Sequence, residues 1–405
     1  MAKTKHPSYY SRKFLNKTKG TAMIEIRADI SAYSMDGTIT ISDCYRKTEL
    51  DMHIYDKKSL KEKSDKLDLL IKEIEFARNQ VGESAKVPSI FFGGGTPSLM
   101  EASDIKRVIT AISERFELEP NAEITLETNP DTVTKEKLKQ FYDAGVNRIS
   151  FGMQSSVLHV LKTLDRTHNP ENLPQVTKWA NEVGFKEISV DLIYGTPGES
   201  RQDWQQSIDS ALALPITHIS AYALIVEEGT KLAAQIKRGE IAKPDDDLTA
   251  EKYIMADKAF TAAGFNWYEL SNWAKPNSQS KHNLAYWLGH NWWGAGPGAH
   301  SHINGKRFWN VKHPNLYKQK IQADETVVLD SEILEGSQIE SERLMLSIRL
   351  PQGVEKNTLN NQQILELTDY VNSGHLDEEN WNLGRATLTL DGRLIADRIV
   401  RAILL

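Results

Sequence analysis

The chain has 405 residues, enough for one large domain with a smaller companion, and its 49 basic and 55 acidic residues leave a net charge of -6. That balance offers nucleic acid no basic field, no apolar run reaches the roughly 18 residues of a membrane span, and a single cysteine, Cys44, excludes a disulfide framework. A cytoplasmic protein is expected. In chain order, residues 1–20 carry Lys3, Lys5, Arg12, Lys13, Lys17 and Lys19, with no acidic residue before Glu25. They lack the apolar centre of a secretory signal, so residues 1–58 read as a diverged or disordered basic segment, with an organelle transit peptide as the alternative.

From about residue 60 the text alternates. Helical patterns over 60–80, 102–117, 134–144, 171–184, 201–213 and 247–263 separate strand-like runs at 89–92, 122–127, 147–152, 187–194, 216–224 and 265–270. Such alternation predicts βα units around a parallel sheet, with room for one more strand upstream. The expected class is α/β, a partial or full TIM-like (β/α) barrel over residues 59–320.

The predicted strand ends share a chemistry. They read Gly93–Thr96, then Glu127-Thr128-Asn129-Pro130, then Gly152-Met153-Gln154, then Asp191 with Tyr194-Gly195-Thr196-Pro197. Ligands of parallel α/β folds meet the carboxyl ends of strands, so these loops predict one shared site. Three glycines at the first tip let main-chain N–H groups approach a ligand that any β-carbon would hold away, or simply make a tight turn. Glu127 ends an apolar strand, where an unpaired carboxylate is costly, so it binds a ligand, caps a helix or joins an ion pair.

Past residue 267 the aromatic residues gather. Trp267, Trp273, Trp287, Trp292, Trp293 and Trp309, with His282, His290, His300, His302 and His313, fall between 267 and 313. A polar, acid-rich connector follows near 322–342. Residues 335–405 then predict a small C-terminal domain (helix, helix, short hairpin, closing helix) of winged-helix type, a packing appendage in its simplest reading.

Eight blocks in order carry a resemblance: FFGGGTPSLM, ITLETNP, AGVNRISFGMQS, LKTLDRTHN, VDLIYGTPGES, SAYALIVEEGT, KHNLAYW and GAGPGAHS. From about residue 65 to the C terminus the chain resembles the radical-SAM family of oxygen-independent coproporphyrinogen III oxidases and HemW-type haem chaperones. The resemblance implies a radical-SAM barrel and an S-adenosylmethionine site at Gly94, Gly95, Thr96, Glu127, Gln154, Arg166, Asp191 and Ala223. In that site Glu127 would take the ribose hydroxyls and Ala223 would lie near the adenine. His282, Asn283, Tyr286 and Trp287 match the HNxxYW signature tied to haem binding in HemW-like proteins. A neutral imidazole can ligate haem iron and the aromatics supply flat apolar area. The alternative is a hydrogen-bonded core histidine among packing aromatics, and His290, His300 and His302 are weaker ligand candidates.

The implied function is haem binding with transfer to haem-acceptor proteins, with neither nucleic acid nor membrane as partner. Its alternatives are oxidative decarboxylation of coproporphyrinogen III, or an inactive remnant. The family's radical chemistry also implies a [4Fe–4S] cluster held by a Cys-x-x-x-Cys-x-x-Cys loop after the first barrel strand. Here only Cys44 stands in that region, no other common side chain readily replaces a thiolate toward iron–sulfur, and no residue is assigned to metal. True divergence of the N-terminal text or a shifted reading frame would each account for the loss.

Overall fold

The structure, a computed structural model, describes residues 38–41, 57–81, 85–94, 96–227 and 229–404, with side-chain surroundings given from Leu67 onward. Strands β1 (Thr38–Ile41), β2 (Lys86–Phe92), β3 (Glu117–Thr128), β4 (Arg148–Gln154), β5 (Glu187–Tyr194) and β6 (His218–Ala223) lie side by side, all parallel. Period-two alternation sorts their residues onto two faces. One carries Ile90, Phe92, Ile124, Leu126, Ile149, Phe151, Ile188, Val190 and Ile219 into the main hydrophobic core. The other carries Ser89, Glu123, Thr125, Arg148, Ser150, Ser189, His218 and Ser220, which are buried too.

Helices follow the strands, and most of them cover the apolar face. They are α1 (Lys57–Val81), α2 (Ala102–Ser113), α3 (Lys135–Asp143), α4 (Leu158–Thr163), α5 (Leu173–Val183), α6 (Arg201–Leu212), α7 (Lys231–Lys237) and α8 (Asp246–Ala262). In α1 the buried Leu67, Leu70, Ile74 and Ala77 recur at steps of three and four, one stripe of a helix. Each fully buried aliphatic side chain stabilises by roughly 1.5–3 kcal/mol. The outer layer therefore holds the sheet, and the polar inner face is left for other work.

The strand expected over 265–270 is not a sixth parallel member. β7 (Asn266–Glu269) pairs antiparallel with β8 (Asn272–Ala274), itself antiparallel to β6. The two residues between β7 and β8 leave no length for a crossover, so the chain can only turn back. β9 (Trp292–Ala295) instead lies parallel on the far side of β1, which occupies the middle of the sheet as the expected upstream strand. β10 (His300–Ile303), β11 (Lys306–Asn310) and β12 (Val328–Ile333) then extend the sheet antiparallel. The full order is β12-β11-β10-β9-β1-β2-β3-β4-β5-β6-β8-β7, so among the described residues the barrel is partial and its edges are β12 and β7. Helices α9 (Lys281–Trp287) and α10 (Pro314–Gln322) belong to this half, and the predicted polar connector contains β12.

The C-terminal residues build a second core of Leu344, Ile348, Leu367, Leu376, Trp381, Ile399 and Val400. Its helices are α11 (Gly336–Ser347), α12 (Asn361–Asn372), α13 (Glu378–Asn382), α14 (Leu390–Leu394) and α15 (Ala396–Leu404). The small sheet is not a local hairpin, because β13 (Val354–Glu355) pairs with the distant β14 (Arg385–Ala386). No helix among the described residues is long and apolar enough to cross a membrane.

Candidate functional site

At the carboxyl end of β2 the chain turns through Gly94, at φ 80°, and its N–H donates to Glu127 Oε2 at 2.9 Å. A β-carbon at Gly93 would lie 2.3 Å from Phe91 Cε1 and 3.3 Å from Glu127 Cδ, so any larger residue would have to displace the Phe91 ring that stacks on His282. Thr96 leads into the single turn Pro97–Leu99. There Ser98 Oγ lies 2.7 Å from Thr132 Oγ1 and accepts from the Asn129 N–H at 3.2 Å, which ties the loop after β2 to the loop after β3.

The next strands continue the same rim. Gln154 has φ 60° beside a register shift in β4, and a β-carbon on Gly152 would sit 3.0 Å from its Nε2, so its amide doubles back over that glycine. Gly152 is in register with Asp191, whose Oδ2 accepts from Ser150 Oγ at 3.0 Å. Burial pushes the Asp191 carboxyl up, against the lowering effect of hydrogen bonds from Ser220 and Ser150 and the charge of Arg148. Ala223 closes β6 in register with Tyr194, the last residue of β5.

The structure thus gathers Gly94, Thr96, Glu127, Gln154, Asp191 and Ala223 at one end of the sheet. Arg166 lies in the loop after α4 on the same side, but it is exposed. Gly95 and Cys44 lie outside the described residues. Behind the rim, Thr125 Oγ1 and His218 Nδ1 are buried on the inner face with no hydrogen-bond partner among the described residues, the signature of a polar interior that a ligand or water would satisfy.

The HNxxYW segment is α9, laid across the inner face. Ser280 caps it by accepting from the Asn283 N–H at 3.2 Å. His282 is 1 % exposed, its Nδ1 lies 2.9 Å from Ser89 Oγ, and its ring stacks on Phe91 at 4.8 Å. Burial pushes the His282 pKa down to about 3, which leaves a neutral imidazole at neutral pH. Asn283 Nδ2 donates to Tyr268 Oη at 3.2 Å and Glu269 Oε1 at 3.1 Å. Tyr286 meets His282 edge-on at 5.8 Å and Trp292 at 5.7 Å, and Trp292 meets His302 at 4.9 Å. A ladder of rings therefore crosses from β2 to β10. Trp287 faces the other way, packed with Leu346 and Leu350 of the C-terminal domain. Of the weaker candidates, His302 is buried and held down to about 4, while His300 is exposed and stacks on Trp309 at 5.9 Å. His290, partly buried, follows α9.

Sequence reasoning missed what holds these parts. Glu123 on β3 accepts from the start of α9 and from Arg148, and Glu199 pairs with Lys252 at 2.6 Å in a fully buried position. Glu199 Oε2 also accepts from the Gly195 N–H at 2.8 Å, which shapes the loop after β5. Glu123 was detectable in principle. It stands four residues before Glu127, hence on the same strand face, and a mid-strand acid needs a partner.

The [4Fe–4S] group does not fit this chain. β1 ends at Ile41 and α1 begins at Lys57, and the intervening residues contain Cys44 alone where three thiolates are required.

Comparison with known proteins points one way. The Radical SAM superfamily matches residues 44–211. The heme chaperone HemW of Mycobacterium tuberculosis is 41% identical over 332 residues, covering 82% of this chain and 84% of its own. The heme chaperone HemW of Bacillus subtilis is 36% identical over 66% of this chain and 71% of its own. Among solved structures, the coproporphyrinogen III oxidase HemN of Escherichia coli matches at a TM-score of 0.74 with 18% identity, over 100% of this chain and 95% of that one, a likeness of fold.

Proposed function

The chain belongs to the HemW family of radical-SAM-type proteins, and from that premise we propose that it binds haem as cargo through His282, Asn283, Tyr286 and Trp287 and passes it to acceptor proteins. The observation that carries this reading is the ring ladder built on α9. A neutral imidazole, the form that iron accepts, stands among Phe91, Tyr286 and Trp292 in a wall of flat apolar surface. Since His282 is 1 % exposed, iron meets it only after its ring parts from Phe91 and Ser89, so uptake is coupled to a local opening that a recipient protein can exploit in reverse. Adding haem to the purified protein should produce a Soret band, and His282→Ala should weaken it. A wild type without the band refutes the reading.

The rim residues Gly94, Gly95, Thr96, Glu127, Gln154, Arg166, Asp191 and Ala223 are assigned to S-adenosylmethionine. The Glu127 carboxylate, oriented at the rim by the Gly94 N–H and backed by the polar row, supports a ligand with a hydroxylated end. A bound cluster would supply the electron for reductive cleavage of that ligand. With one cysteine, no such step is assigned to this chain, and coproporphyrinogen decarboxylation, which needs it, is the disfavoured alternative.

A further inference from the structure

Helix α9 is short, seven residues, and a helix of that length has little stability of its own in water. Something else must fix the side of α9 that faces the barrel. Its first turn is gripped by one side chain. Glu123 Oε1 accepts from Ser280 Oγ and from the His282 N–H, both at 3.0 Å, and Glu123 Oε2 accepts from the Lys281 N–H at 3.0 Å. The carboxylate is itself braced from below by Arg148, 3.4 Å away at Nη1. Arg148 Nη2 donates to the Ser278 carbonyl at 2.9 Å, so the acid and the base hold both sides of the turn that enters α9. Both are buried, Arg148 at 2 % exposure and Glu123 at 7 %.

Two features separate this from ordinary packing. The grip falls on the backbone N–H of His282 itself and of its neighbour, so it sets the rotation of α9 and with it the direction of the His282 ring. It also comes from the same strand face that carries Glu127 to the rim four residues later, a separation of roughly 13 Å along a strand. One strand thus serves the helix with one carboxylate and the rim with the other.

We propose that Glu123 is the positioning residue of the haem segment, orienting His282 for iron by capping residues 280–282 while Arg148 keeps the carboxylate in place. The inference rests on the haem-binding reading and deepens it. Removing the charge leaves three donors facing an amide that can accept at only one of its two polar atoms. In Glu123→Gln, α9 keeps its sequence and its aromatic residues but loses its fixed rotation.

The test is a haem titration of the full chain as wild type, Glu123→Gln, Ser280→Ala and His282→Ala, followed by Soret absorption and by electron paramagnetic resonance of the ferric complex. Glu123→Gln is expected to bind about tenfold more weakly, the loss of a charged hydrogen-bond set. It should also show the ligand-field signals of His282→Ala rather than those of wild type, a change that general destabilisation would not produce. Ser280→Ala, which removes one of the three contacts together with the cap on the Asn283 N–H, should also weaken binding. Wild-type affinity and wild-type signals in Glu123→Gln would overturn the positioning role while leaving haem binding intact. Absence of a Soret band in wild type would overturn both readings. Should Glu123→Gln fail to fold, Glu123→Asp, which keeps the charge but draws it back from α9 and leaves the Ser280 cap in place, decides: a weakened complex with altered signals supports the role, and an unchanged one refutes it.

Discussion

At the scale of single residues, the most informative groups are acids that the sequence presents as ordinary. Glu73 sits in the charged-looking text of α1, yet it is fully buried. It accepts from the Gly296 N–H at 2.8 Å, from Asn310 Nδ2 at 2.7 Å and from Tyr317 Oη, which pins the GAGPG turn after β9. Burial outweighs these hydrogen bonds and raises its pKa to about 7 from 4.5. Because the folded value lies above the unfolded one, the stability linked to this proton is full below pH 4.5 and is lost as pH rises through about 7. Comparing the unfolding free energy of wild type with that of Glu73→Gln from pH 4 to 9 should therefore show wild type losing ground by roughly 3 kcal/mol between pH 4.5 and 7, then a plateau. A gap that stays constant with pH would mean that Glu73 ionises freely. Composition could not reveal this, because α1 reads as one amphipathic helix whether position 73 faces solvent or the turn after β9.

At the scale of elements, the alternating text gave β2 to β6 and the longer helices within about five residues, because period two and period 3.6 are both strong there, but the short α4 and α7 were not among the expected elements. Gly93–Thr96, Glu127, Gln154 and Asp191 were placed at one end of the sheet by the same logic. What escaped was pairing partner and direction. The 266–269 run looks like any other strand, and only the two-residue turn at 270–271 makes it antiparallel. β9 and β10 were hidden in a crowd of tryptophan and histidine, and β9 finds its parallel partner β1 far away in sequence, while β10 pairs with its neighbours β9 and β11. The place of α9 depends on Ser89 and Glu123, more than 150 residues upstream, and no local pattern encodes that. The element that sets the chemistry is the link between β1 and α1. With Cys44 as its sole thiol, anaerobic reconstitution with iron and sulfide should leave no broad absorption near 400 nm and no stoichiometric iron after desalting. Retention of about four irons per chain would show that other ligands have replaced the thiolates.

At the scale of the whole molecule, the barrel and the C-terminal domain have separate cores, yet α9, the proposed haem segment, depends on both. Trp287 is covered by Leu346 and Leu350, and Arg393 ties the domain to the barrel elsewhere, at α8 and β7. That guanidinium makes a two-pronged contact with Asp257, at 2.7 and 3.0 Å, and lies 4.4 Å over the Trp267 ring. Asp257 also accepts from Trp273 Nε1 at 2.9 Å, so the barrel holds the carboxylate still for the arginine to find. The pair is nearly buried, with side-chain exposures of 9 % and 11 %. Removing one partner of such a pair costs about 3–5 kcal/mol, because the other charge stays behind without compensation. Arg393→Met should therefore destabilise the docked domain by about that amount, whereas Arg393→Met with Asp257→Asn should recover much of the loss. Hydrogen exchange should locate the effect, with faster exchange over residues 336–404 and at Trp287 and little change in β3 to β5. The consequence for cargo follows from the same contact: a looser domain uncovers Trp287, so haem should associate faster with Arg393→Met than with wild type. If exchange instead rises evenly through barrel and C-terminal domain, the two fold as one unit and the domain is no cover for the haem segment.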